Sequence, residues 1–309
     1  MIPMPSSPPQ SFAIVASALT TDPRQAPALA RQAGFAGLLF DAYSAALHFT
    51  DLSTTGRREF RHLLSSQNQQ LVGLRVDLGP KGFGPGADVD RLLAQMEQVM
   101  ETAIALAAPL VCVEMGPLPE PLPENKPKPA VTREQAGLIL IPSFPVAPAS
   151  EPAQPATPVD PAFVAQVDGA MAEVGLLADR YIVTVAFRTS LASFAALERT
   201  LLAARCPWFG IDLDPAAMLS DAWEADEIFS RLGPLIRHVR GRDAVRGSHH
   251  RTKPMPLGQG DTKWDELLSN LEAAGYHGWI TLDPVDLPEK AAAARAGVKY
   301  LKPGPLGRR

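Results

Sequence analysis

Charged side chains recur at the ends of short apolar runs, where chemistry is possible. Asp41, Asp77, Glu114, Asp214 and Asp283 each close such a run, and Arg188 closes another. Asp212 stands two residues before Asp214, and His238 two before Arg240, so each pair shares one face of a strand. A carboxylate beside a carbon acid can move a proton. Carboxylates with an imidazole can hold Mn, Mg, Co or Zn. An arginine can hold a carboxylate or phosphate bidentately. On these grounds Glu114 is a candidate acid–base residue. Arg240, His238, Asp243 and Arg188 are the candidate ligand-binding residues. Arg237, Arg240, Arg242, Arg246, Arg251 and Lys253 also cluster in one basic stretch with His249 and His250. Adjacent histidines cannot share a face, so that pair reads as solvated.

These residues need elements to place them. Apolar runs alternate with amphipathic ones along the chain. Strands are expected at Phe12–Ala16, Gly37–Asp41, Leu71–Asp77, Leu110–Glu114, Tyr181–Phe187, Phe209–Asp214, Leu235–Arg240 and Gly278–Asp283. Helices are expected between them and after the last, among them Pro23–Ala33 with Asp22 as its N-cap, Asp221–Leu232 and Trp264–Ala274. Nearly continuous apolar strands such as Leu110–Val113 fit a parallel sheet covered on both faces. Eight such units suit an α/β fold, a (β/α)8 TIM barrel. A doubly wound sheet would carry a glycine-rich turn after the first strand, where this chain reads Ser17-Ala-Leu-Thr-Thr.

One segment breaks the alternation. Residues 117–161 hold 13 of the chain's 31 prolines, a density that excludes helix and central strand. Within this insertion after strand four, the run Leu138–Ile141 needs burial. A lid over the barrel mouth and a docked surface loop both remain open. The expected organisation is a single domain over 1–309, with flexible tails at 1–10 and 302–309.

The bulk numbers exclude some classes. A 46% hydrophobic, 20% charged chain forms a globular core. A net charge of -4 and a pI near 5.9 disfavour a nucleic-acid partner. No apolar run is long enough for a membrane helix, and no secretory signal is evident. Cys112 and Cys206 form no metal-type pair, so a cytoplasmic location is expected.

Five segments, QAGFAGLLFD (Gln32–Asp41), CPWFGIDLDPAAML (Cys206–Leu219), RHVRGRD (Arg237–Asp243), PLGQGDTKW (Pro256–Trp264) and GYHGWITLD (Gly275–Asp283), come in a telling order. Together they resemble the xylose-isomerase-like barrels, which include sugar isomerases, sugar epimerases and abasic-site endonucleases. The resemblance implies a divalent cation held by a Glu, an Asp, a His and a Glu ending strands five to eight, with the two glutamates moving a proton beside a sugar carbonyl. Asp214 matches the Asp. Asp283 stands for the last Glu, one methylene shorter, so the resemblance implies Asp214 and Asp283 as the metal ligands and, with Glu114 added, as the catalytic residues. Arg188 ends strand five without a carboxylate, Arg240 replaces the His, and Ala217 replaces a second family histidine. The metal site is therefore expected to be altered and the cation absent, unless Glu114, Asp214, His238 and Asp283 rebuild one. Arg240 either captures an anionic ligand or pairs internally with Asp214 or Asp283. The functional expectation is a sugar isomerase or epimerase acting on a sugar or sugar acid. The alternative is a barrel without catalysis that binds a small anionic ligand or a protein partner. An endonuclease would need more histidines at strand ends.

Overall fold

The computed structural model of the protein describes residues 11–121, 160–221, 225–247 and 252–302. The barrel strands are β1 (Ser11–Val15), β2 (Gly37–Asp41), β3 (Gln70–Asp77), β4 (Leu110–Met115), β5 (Thr184–Thr189), β6 (Phe209–Leu213), β7 (Ile236–Gly241) and β8 (Trp279–Leu282). All are parallel, and β8 pairs with β1 to close the barrel. Helices α1 (Ala26–Gln32), α2 (Thr54–Ser66), α3 (Val89–Ala105), α4 (Pro161–Tyr181) and α5 (Phe194–Ala204) follow the first five strands in turn. Two short helices, α6 (Pro215–Asp221) and α7 (Ala225–Leu232), follow β6, then α8 (Trp264–Ala273) follows β7 and α9 (Lys290–Leu301) follows β8.

Strand alternation sorts the side chains into two cores. One set, including Ile14, Leu38, Phe187, Ile280 and Leu282, packs outward against the helices. In α8 the residues Trp264, Leu267 and Leu271 recur on one face and are buried there. Burial of that kind contributes about 1.5–3 kcal/mol per large side chain. The other set, Ala13, Val15, Leu39, Val72, Leu110, Cys112 and Ala186, faces the barrel axis with Trp279. Gly37 makes room for that indole, since a Cβ there would meet the Trp279 ring at 3.0 Å. Small apolar residues fill the lower barrel, so charged side chains gather at the C-terminal ends of the strands.

Several expected boundaries move. Asp22 does not cap α1. Its carboxylate accepts the Arg24 N–H and its carbonyl the Gln25 N–H, closing a turn before the helix starts at Ala26. Helix α4 runs on to Tyr181, and Ile182 turns the chain in the left-handed region (φ 53°), which delays β5 to Thr184. The single helix expected at Asp221–Leu232 is instead the α6–α7 pair. The run Leu138–Ile141, His249, His250 and Arg251 lie outside the described residues, as do residues 1–10 and 303–309 of the tails.

Candidate functional site

Inward-pointing positions at the strand ends bring four arginines into the barrel mouth, each holding two carboxylates. Arg75 on β3 donates Nε to Asp41 at 2.6 Å and Nη1 to Asp283 at 3.1 Å. Arg240 on β7 donates Nε to Asp212 at 2.6 Å and Nη1 to the same Asp283 oxygen at 3.1 Å. Arg188 at the end of β5 donates Nε to Glu114 at 2.5 Å and Nη1 to Asp214. Arg242, just past β7, donates Nη1 to Asp214 at 3.0 Å and Nη2 to Asp286. These bonds form two chains: Asp41–Arg75–Asp283–Arg240–Asp212 and Glu114–Arg188–Asp214–Arg242–Asp286.

The first chain runs deep. Asp212 and His238 are buried, with His238 Nδ1 at 2.6 Å from Asp212 and Nε2 at 2.7 Å from Thr281 Oγ1. An imidazole protonated at Nδ1 satisfies both contacts, donating to the carboxylate and accepting from the hydroxyl. His238 is thus a hydrogen-bonded interior histidine that steadies Asp212, which in turn holds Arg240. Arg240 is only 3% exposed. Of the two roles left open for it, the geometry displays internal pairing, with Asp212 and Asp283 as partners.

Burial alone would raise the Asp214 carboxyl, but the charges of Arg242, Arg188 and Arg240 outweigh it and hold it below the usual carboxylate range. Asp212 behaves alike: burial raises it, and Arg240 with His238 drives it far down. Arg188 moves the other way; burial lowers it and the Asp214 charge more than restores it. The cations and anions of the mouth therefore stabilise one another's charged forms.

Glu114 is held from three sides, by Arg188 and by the backbone N–H and hydroxyl of Ser190. Asp214 Oδ1 accepts the Ala216 N–H. Asp283 keeps one oxygen, Oδ1, buried and without a hydrogen-bond partner among the described residues. Asp243, a sequence candidate for ligand binding, has both oxygens committed to backbone. Oδ1 accepts from Ala244 and Thr262, and Oδ2 from Gly258 and Gly260. It organises the turn before α8, where Gly258 sits at φ 84° against the Tyr300 ring. Asp261, in the same turn, accepts the Arg246 N–H at 2.7 Å.

Asp214, Asp283, Glu114, Arg240, His238 and Arg188 thus meet at one mouth, and Asp243 lies beside it. Arg75, Thr281 and Asp286 were not singled out from the sequence. Arg75 carried a signal, a lone cation inside the buried run Leu71–Val76. Among the described residues, Cys112, Asp212 and His238 each present a ligand-type atom within 4.8 Å of the others. Both His238 nitrogens are engaged, Asp212 is bound to Arg240, and burial with the nearby Asp212 charge pushes the Cys112 thiol well up. A metal would have to displace all of these contacts.

A family model described as xylose isomerase-like TIM barrel matches residues 27–304. The chain resembles the xylose isomerase domain protein of Planctomyces limnophilus at 14% identity and a TM-score of 0.70, covering 94% of this chain and 95% of that one. It is similar to the D-psicose 3-epimerase of Clostridium cellulolyticum H10 (12% identity, TM-score 0.66, 94% and 98% covered). It also resembles the 3-keto-D-glucoside 4-epimerase YcjR of E. coli (15% identity, TM-score 0.65, 94% and 98% covered). No curated protein matches the chain.

Proposed function

The chain belongs to the xylose isomerase-like TIM barrel family, and from that premise we propose that its mouth binds a sugar-like, polyhydroxylated small molecule without a divalent cation and without proton-transfer catalysis. One observation carries this reading. Arginines stand at two of the positions where the resemblance calls for cation ligands, and they hold the carboxylates at the other two: Arg188 on Asp214, Arg240 on Asp283. A divalent ion does not fit this donor set. Guanidinium has no lone pair to offer, and an ion on the free Asp283 oxygen would face the two guanidinium groups bound to its partner oxygen.

The same contacts argue against the isomerase reading. A carboxylate held below its ordinary pKa by arginines is a weak base, and Asp214 is in that position. Recognition is better served. Nη2 of Arg75 and of Arg188 makes no hydrogen bond to any described residue, beside carboxylates that accept. Neighbouring planar donors and acceptors suit vicinal hydroxyls, each of which both gives and takes a hydrogen bond. Sugars are what the similar epimerases are named for.

Two measurements test the proposal together. Calorimetric titration with Mn²⁺ or Co²⁺ is expected to give no saturable heat, while saturation-transfer NMR detects a neutral sugar that Arg188→Ala releases. A stoichiometric Mn²⁺ site abolished by Asp214→Ala would overturn it. So would deuterium uptake from D₂O at the carbon beside the carbonyl of a bound ketose.

A further inference from the structure

The sign of charge at the mouth narrows the ligand further. The guanidinium groups of Arg75, Arg188, Arg240 and Arg242 are enclosed by the carboxylates of Asp41, Glu114, Asp212, Asp214, Asp283 and Asp286. The described carboxylates outnumber the described guanidiniums by two. Asp77 adds an exposed carboxylate at the end of β3, facing the mouth by its two-residue offset from Arg75. Each arginine already bridges two carboxylates, so none stands as an uncompensated positive charge waiting for an anion.

A second observation points the same way. Asp283 is only 4% exposed, yet its Oδ1 has no donor among the described residues. Asp283 stands two residues beyond Thr281, whose hydroxyl contacts His238 inside the barrel, so its carboxyl also aims inward. A buried carboxylate oxygen with no partner calls for a hydrogen-bond donor, and a positively charged donor answers it best. Resting on the reading of the mouth as a polyol site, we infer that the preferred ligand is an amine-bearing polyhydroxylated molecule, an amino sugar or amino cyclitol. Sugar acids and sugar phosphates are disfavoured. This departs from the anionic ligand that the basic stretch around Arg240 suggested.

A series on one carbon skeleton tests it: D-glucosamine, D-glucose, D-gluconate and D-glucose 6-phosphate. A parallel series is built on inositol and its amino and phosphate derivatives. All are measured by saturation-transfer NMR and calorimetry on the full chain at about pH 6, where an ordinary amine is protonated. The expected order is amine, then neutral, then acid, with about a tenfold preference for amine over neutral at low salt that shrinks at high salt. Asp41→Asn, which removes one carboxylate of the cluster, should reduce that preference. Binding led by gluconate or the phosphates would overturn the charge assignment and leave the polyol site standing. No binding by any member of either series would overturn the polyol site, and this inference with it.

Discussion

Replacing Arg240 with methionine separates a residue that holds the mouth together from one that waits for a ligand. The substitution keeps an unbranched chain but removes the cation between Asp212 and Asp283, whose side chains are 0% and 2% exposed. Breaking a buried pair by removing one partner costs roughly 3–5 kcal/mol, because the other charge stays buried. Two contacts soften the loss here. Asp212 retains His238 Nδ1 at 2.6 Å, and Asp283 retains Arg75 Nη1 at 3.1 Å. The expected loss is therefore near the lower end, about 3 kcal/mol. For a chain of this size that corresponds to a fall in Tm of about 5 °C. Urea denaturation at constant ionic strength measures the free energy, and calorimetry the Tm. Adding Asp212→Asn removes the stranded charge, and a coupling of about 1–2 kcal/mol between the two substitutions is expected. An unchanged or raised Tm for Arg240→Met would refute the reasoning, because it would place Arg240 among residues kept for a ligand at a cost to stability.

Asp243→Ala leaves the amides of Ala244, Gly258, Gly260 and Thr262 without their acceptor; a loss of about 3 kcal/mol is expected, with faster hydrogen exchange confined to that turn. Gly258→Ala forces a side chain into the left-handed region and against the Tyr300 ring, whose nearest atom lies 2.7 Å from the new Cβ. It should cost about 1–3 kcal/mol by urea titration, of which Tyr300→Ala recovers only the steric part. Asp214 has a lowered folded pKa, so its contribution is complete above the unfolded value of about 3.9 and is lost as pH falls through the folded value. The urea midpoint of the native chain should therefore decline below about pH 4. In Asp214→Asn the midpoint starts lower at neutral pH and declines less steeply on acidification; parallel acid limbs would contradict this.

The strand and helix order was legible in the sequence because burial on both faces leaves a local trace. Apolar runs such as Leu110–Val113, alternating with amphipathic ones, fit parallel strands between layers, and in a closed barrel the charged residues that end them gather at one mouth. Glu114 and His238 were found that way, since strand ends and the period of two mark which residues share a face, whereas Asp214, Asp283, Arg188 and Arg240 were placed by the family resemblance. Helix ends were less legible. The Asp22 turn and the left-handed Ile182 are choices between nearly equal local conformations, settled by what packs next to them.

Tertiary structure alone decided the partners. Arg75 meets Asp283 across 208 residues of chain, and only closure of β8 onto β1 brings β3 within reach of β8 at the mouth. Arg240 carried two opposite readings because a guanidinium that captures an anion and one that neutralises a neighbour have the same chemistry. Distances of 2.6 and 3.1 Å to Asp212 and Asp283 show the internal pairing, which local sequence could not. Asp243 looked like a ligand-binding carboxylate until its four backbone donors were in place, one from the next residue and three delivered by a turn 15 to 19 residues downstream. Composition and periodicity record which face a residue occupies. Which charges neutralise one another depends on distances across the closed barrel, and local sequence does not encode those.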